Sequence, residues 1–187
     1  MTKIIIREKL EKVFGDMMIN MGLDLQNPSL EKTPYRIAKM YVDELCYGLF
    51  TEKPRMAIQD AVSDDMIVIR DIVVNSLCEH HFLPFIGNCT IAYIPNKKIL
   101  GLSKFNRLVS WWASRPTLQE MLTYNIANDI KEILDTDHVG VFMSAQHMCV
   151  KLRGIKDPCS DTVVNSLHGF FRSDWNVRAE FLSICKK

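Results

Sequence analysis

The sequence predicts an α+β fold, in which N-terminal helices lead into two strand pairs with two further helices between the pairs. Three patterns carry that expectation. Apolar residues recur at helical spacing through the first fifty positions and again from 105 to 133. Runs rich in β-branched residues occupy 66–74, 89–94 and 139–145. Proline, glycine and asparagine fall mostly at the joints between these runs.

Taken in order, Leu10, Val13, Phe14, Met17 and Met21 form the apolar face of a helix over 4–22. Asn27-Pro28-Ser29 breaks it. Thr33-Pro34 starts a second helix, with the hydroxyl placed to cap and the proline at the first helical position. Its stripe is Ile37, Met40, Tyr41 and Leu45, and Gly48 marks the stop. Strand character begins at residue 66. The segments 66–74 and 89–94 form one pair, and the turn between them, near Pro84 and Gly87, holds Cys78-Glu79-His80-His81. Pro95-Asn96-Lys97-Lys98 is a turn. Phe105, Leu108, Val109 and Trp112 mark a helix that Arg115-Pro116 interrupts, and Leu118, Leu122, Ile126, Ile130 and Ile133 mark a longer one. After the strand at 139–145, residues 147–153 are expected to pair with it. Strand alternation would then point His147, Cys149, Lys151 and Arg153 the same way. A helix over 175–184 closes the chain. No repeat or linker interrupts this order, so the expectation is one domain over 1–187, with a helical part at about 1–50 and a catalytic part at about 62–187.

The chain has 187 residues, 48% hydrophobic and 24% charged, which is ordinary for a water-soluble globular protein. No apolar run reaches the length of a membrane span, and no secretion signal is evident, so the expected location is the cytoplasm. A net charge of +1 gives no global attraction to nucleic acid or to an anionic membrane. An anionic substrate must instead meet a local basic cluster. The six cysteines at 46, 78, 89, 149, 159 and 185 could form three disulfides. A reducing compartment disfavours that reading, and metal ligation by a subset suits it better.

Cys78-x-x-His81 places two soft donors within one turn, and His147-x-Cys149 offers a third. Two thiolates and an imidazole suit zinc in tetrahedral array, and three protein ligands leave one position open. Each residue alone also reads as a buried core side chain, but together they favour a catalytic metal. Zinc lowers the pKa of a bound water towards ~7, while the spare imidazoles His80 and His147 can carry protons at neutral pH. The expectation is metal-assisted hydrolysis. Cys46, Cys89, Cys159 and Cys185 have no such company, nor do His138 and His168. Ser103, Lys104 and Arg107 open the first central helix, where with Lys151 and Arg153 they could clamp a triphosphate. The same residues also read as a solvated basic face, and Glu120 as a surface carboxylate.

Several segments in one register resemble the zinc-dependent GTP cyclohydrolase I family. They are Thr33-Pro-Tyr-Arg-Ile-Ala-Lys-Met-Tyr41, Ser76-Leu-Cys-Glu-His-His81, Ala92-Tyr-Ile-Pro95, Gly101-Leu-Ser-Lys104, Arg115-Pro-x-x-Gln-Glu120 and His147-Met-Cys-Val-Lys-x-Arg-Gly154. The resemblance runs from about residue 30 to the C-terminus. It implies hydrolysis of GTP to formate and 7,8-dihydroneopterin triphosphate, the first step of a pterin, folate or 7-deazaguanine route. It implies zinc on Cys78, His81 and Cys149, with His80 and His147 catalytic and His147 donating a proton to the purine imidazole. Glu120, as a buried carboxylate, and Gln119 would bind substrate, with Ser103 near the ribose and triphosphate. Lys104, Arg107 and Arg153 would hold the phosphates, and Glu79 would support the site from behind. The implied architecture is a tunnelling fold, a four-stranded antiparallel sheet with two helices on one face. Copies would assemble into a ring, usually a decamer, with sites at subunit interfaces. Ser160-Asp-Thr-Val-Val-Asn-Ser166 and His168 depart from the family pattern. Two other readings are a related nitrile reductase, which would need a nicotinamide cofactor and no such zinc set, and a zinc-stapled binding module, which would need a fourth protein ligand.

Overall fold

The computed structural model describes residues 2–186. The chain divides into two compact units, Met1–Glu52 and Lys53–Lys187.

In the first unit, α1 (Lys3–Asn20) packs on α2 (Thr33–Met40), and the chain continues through a π-helical turn, Tyr41–Leu45, and a 3-10 turn, Tyr47–Leu49. The inward face of α1 is rotated from the expected stripe. Gly15 and Met18 are buried and Leu10 and Phe14 half-buried, while Val13, Met17 and Met21 are exposed. Phe14 fixes that rotation by stacking on Tyr41 at 5.5 Å, and Arg7 donates to both oxygens of Asp43 at 3.0 and 2.9 Å. Thr33 does not cap α2. It is the first helical residue, Lys32 holds the cap position, and no side chain caps there. The buried line of this segment is Pro34, Ala38, Val42 and Cys46, with Met40 exposed. The wider π turn keeps every fourth residue inward where a regular helix would drift. Gly48 sits inside the 3-10 turn and stops nothing.

The second unit runs β1 (Ile58–Asp60), β2 (Ile67–Cys78), β3 (Pro84–Tyr93), β4 (Lys98–Leu100), α3 (Leu102–Ala113), β5 (Pro116–Thr117), α4 (Gln119–Leu134), β6 (Val139–His147), α5 (Met148–Lys151), β7 (Thr162–Leu167), α6 (Phe170–Ser173) and α7 (Trp175–Cys185). The mixed α+β class is as the sequence predicts. The main sheet has the order β5-β2-β3-β6-β7, antiparallel except for the two-residue β5, and β1 pairs with β4 apart from it. One expected strand is missing. Residues 148–151 form a helical turn, and the partner of β6 is β7, so the alternation expected for 147–153 does not exist.

Helices α3 and α4 cover one face of the sheet, burying Phe105, Leu108, Val109, Leu122, Ile126 and Ile130 against Val74, Phe85, Cys89, Ile91, Val141 and Met143. The opposite face is covered near Ala92, where Phe171 and Phe181 pack in an edge-to-face pair. Strand β2 reaches the first core by changing step. Its register with β3 shifts between Ile69 and Ile72, and Asp71 there has φ +57°, a left-handed conformation that Asp tolerates better than most residues. Ile67 and Ile69 before the bulge, and Ile72, Val74 and Cys78 after it, therefore face the same core.

Candidate metal centre

Cys78 is the last residue of β2, and a tight turn returns the chain to β3. The Cys78 amide donates to Leu83 O at 2.8 Å, and the Phe82 amide donates to Cys78 O at 2.8 Å. Phe82 closes this turn at φ +54°, where a bulky residue is strained. The turn brings His81 back over Cys78, with Nδ1 at 3.9 Å from Sγ. Cys149 arrives from α5, which begins where β6 ends at His147. The donor atoms of Cys78, His81 and Cys149 all lie within 4.8 Å of one another. Zinc bonds of ~2.3 Å to sulfur and ~2.0 Å to nitrogen at tetrahedral angles put donors ~3.5–3.8 Å apart, so the trio fits zinc with a small closure. Cys78 is buried, Cys149 partly buried and His81 exposed, which leaves an open side.

Burial and the adjacent Cys78 sulfur push the Cys149 thiol up, and Arg153 pulls it partly back. A dication among the sulfurs would reverse that balance in favour of thiolates. Arg153 donates from Nη1 to Nε2 of His81 at 2.6 Å. His80 is exposed in the same turn, its Nδ1 4.0 Å from the Cys78 sulfur. Glu79 is exposed, and its amide donates to Thr117 O at 3.2 Å.

His147 ends β6 directly opposite Phe85 of β3, and the two rings stack at 4.9 Å with 16° between planes. Burial lowers the basicity of His147, and the charge of Glu120 opposes that. Gln119, at the start of α4, is buried, and its Oε1 is 2.7 Å from Nε2 of His147. Glu120 follows it in the first turn but is exposed rather than buried. Facing outward at a helix N-terminus, it leaves the core to Gln119. The pairing of Gln119 with His147, and the Phe85 stack, were not visible in the sequence. Both depend on cross-strand register and on contacts between distant segments.

The basic residues do not converge within one chain. Leu77 pairs with Pro116, so it is the C-terminal end of α3 that adjoins the Cys78 end of β2. Ser103, Lys104 and Arg107 lie about 9–15 Å back along that helix from Ala113, at 1.5 Å per residue. Lys151, expected to join the clamp, instead donates to Pro158 O. His138 stacks on Phe170 at 3.9 Å, and His168 bonds the Ser166 hydroxyl at 3.0 Å, structural roles away from the metal cluster. All six cysteines are free. Burial holds Cys89 well above the usual thiol range and pushes Cys185 up to about 11, as fits packing residues. Among the described residues no helix is long and apolar enough to cross a membrane.

A family model described as GTP cyclohydrolase I matches residues 10–186. GTP cyclohydrolase 1 of Wigglesworthia glossinidia brevipalpis is 46% identical over 177 residues, 93% of this chain and 82% of that protein. GTP cyclohydrolase 1 of Tolumonas auensis is 44% identical over 180 residues, 95% of this chain and 83% of that protein. Among solved structures, an archaeosine synthase QueF-like protein in the apo form matches at TM-score 0.47 and 18% identity, over 57% of this chain and 96% of that one.

Proposed function

Because the chain belongs to the GTP cyclohydrolase I family, we propose that it hydrolyses the imidazole ring of GTP and rearranges the product to 7,8-dihydroneopterin triphosphate, releasing formate. The observation that carries this reading is the Cys78–His81–Cys149 cluster with His147 two residues from one of its ligands. Cys78, His81 and Cys149 hold zinc. The metal, when bound, supplies Lewis acidity and an acidified water.

The remaining steps belong to side chains. His147 gives and takes the proton at the purine ring nitrogen, and exposed His80 is the second imidazole for the later proton transfers. Glu120 accepts from the guanine N–H edge. Arg153, with Ser103, Lys104 and Arg107, takes the triphosphate, and Glu79 steadies the turn that carries the histidines. Gln119 was expected among the substrate-binding residues; its burial and its bond to His147 support a place behind that ring. The reaction consumes water and needs no electron carrier.

The distance of Ser103, Lys104 and Arg107 from the cluster in one chain supports a site completed by a second copy. The side of β2 that the two-residue β5 leaves uncovered, and the edge strand β7, suit a ring of copies, and a decamer is the assembly we propose. The location is cytoplasmic and the product feeds a pterin, folate or 7-deazaguanine route. A module merely stapled by zinc needs a fourth protein ligand, whereas three donors meet here among the described residues.

The test is incubation of the zinc-loaded protein with GTP, following formate and the fluorescence of oxidised neopterin. Both products are expected, and a chelator should abolish them. Neither product appearing, with the chelator making no difference, would discard the reading.

A further inference from the structure

Gln119 is 1% exposed, and every polar atom of its side chain is committed. Its amide nitrogen donates to Met143 O on β6 at 3.1 Å and to Thr162 O on β7 at 3.0 Å. Its oxygen stands 2.7 Å from Nε2 of His147. An amide's two ends have nearly the same shape, so its orientation must be argued from its partners. Here the two carbonyls decide it. Turning the amide over would press Oε1 against two acceptors with no proton between them. The oxygen therefore faces His147, and an amide oxygen can only accept. Nε2 of His147 must carry the proton.

We propose that Gln119 is a positioning residue that locks His147 as its Nε2–H tautomer and leaves Nδ1 as the only basic atom of that ring. This rests on the reading of His147 as the proton-transferring imidazole. The ring is held against rotation as well. Phe85, itself fully buried, stacks on it, and a half-turn would replace the donating Nε2–H with a carbon. A proton reaching Nδ1 gives an imidazolium with two N–H groups, one directed at Gln119 and one at the reacting atom. Passing that second proton on restores the same neutral ring. Each cycle then starts from one tautomer without a ring flip, which removes a slow rearrangement from proton transfer.

Neutron diffraction on deuterium-exchanged crystals of the zinc-loaded protein, at about pH 8 so that the imidazole is neutral, reads the tautomer directly. A deuteron is expected on Nε2 of His147, pointing at Gln119, and none on Nδ1. The reverse placement overturns the proposal. Kinetics supply the second arm. Gln119→Met keeps the length and loses both hydrogen-bonding ends, so kcat should fall about a hundredfold or more while KM for GTP and zinc content stay near wild type. Gln119→Glu, as a buried protonated carboxyl, keeps an accepting oxygen and one donor, and should recover to within about tenfold of wild type. Equal losses in the two variants, or zinc content falling with kcat, would make Gln119 a structural residue and sink the proposal. A wild-type protein that releases no formate overturns the reaction itself, and the deuteron still decides the tautomer.

Discussion

Arg153 and His81 meet through a 2.6 Å contact between Nη1 and Nε2. A guanidinium has no acceptor, so Nε2 must offer a lone pair to it. A metal bound at Nε2 would take that lone pair. A metal bound at Nδ1 would require the ring proton to sit on Nε2, facing a donor. Either way the metal and this hydrogen bond compete for one imidazole.

Arg153→Ala should therefore bind zinc more tightly, by about three- to tenfold, the scale of one hydrogen bond. Competition with a chromophoric chelator measures it. The same variant should raise KM for GTP about tenfold or more, since a charge-assisted phosphate contact is lost. Unchanged zinc affinity would refute the competition, and unchanged KM the phosphate role.

Metal analysis separates ligands from proton carriers. Cys78→Ser and Cys149→Ser should each lose most bound zinc and all measurable turnover. His147→Gln should keep its zinc and lose activity by about 10²–10⁴-fold, the range of general acid–base catalysis. Zinc lost from His147→Gln would place that residue on the metal instead.

Stability should carry a signature of His168. Its basicity is lowered first by burial and then by Lys131 and Arg172, with Asp137 opposing. A histidine held below its ordinary pKa of about 6.5 favours the folded state while neutral. That contribution is complete above about pH 6.5 and is lost as the pH falls through the lower folded value. His168→Gln should therefore show a smaller drop in Tm than wild type between about pH 7.5 and about pH 5.5. An equal or larger drop would show that His168 does not couple folding to protons.

Gly87 should tolerate no side chain. A Cβ there would lie 1.9 Å from Ser144 O and 2.6 Å from the Ala145 Cα, both backbone atoms of the neighbouring strand. Gly87→Ala should cost about 1–3 kcal/mol or more in urea denaturation. Because Gly87 pairs with Ala145, two residues before His147, the Phe85–His147 stack should loosen and kcat should fall as well. A fully stable, fully active Gly87→Ala would show that the strands part there without consequence.

The residues that were legible in the sequence are those whose relationship is local. Cys78 and His81 are three apart in one turn, and the long helices α3 and α4 announce themselves through their apolar spacing. What escaped was set by partners far along the chain. Residues 147–153 alternate in sequence as a strand would, and a four-residue helical turn is too short to leave a periodic signal against that. Leu10, Phe14 and Met18 share a spacing with Val13, Met17 and Met21, and only contact with Tyr41 selects between the two faces. Thr33 looks like a cap because its chemistry is right, but the helix begins one residue earlier than that role needs. Gln119 reads as a polar residue at a helix start until Met143, Thr162 and His147 surround it.

The bulge at Asp71 has a consequence for how this chain can vary. It acts as a phase shifter: odd-numbered residues face the helices before it, and even-numbered ones after it. Deleting one residue there would leave one residue of β2 opposite Thr90, between the Ile69–Ile91 and Ile72–Cys89 pairs, so the strand would alternate regularly and Cys78 would keep its side of the sheet. The metal centre is thus insulated from the loss of one residue seven positions upstream, because the bulge already holds one residue more than its partner strand. A one-residue deletion in the regular ladder between Ile72 and Cys78 has no such outlet: it would turn Cys78 to the side of the sheet away from Cys149 and unmake the site without touching any residue in it.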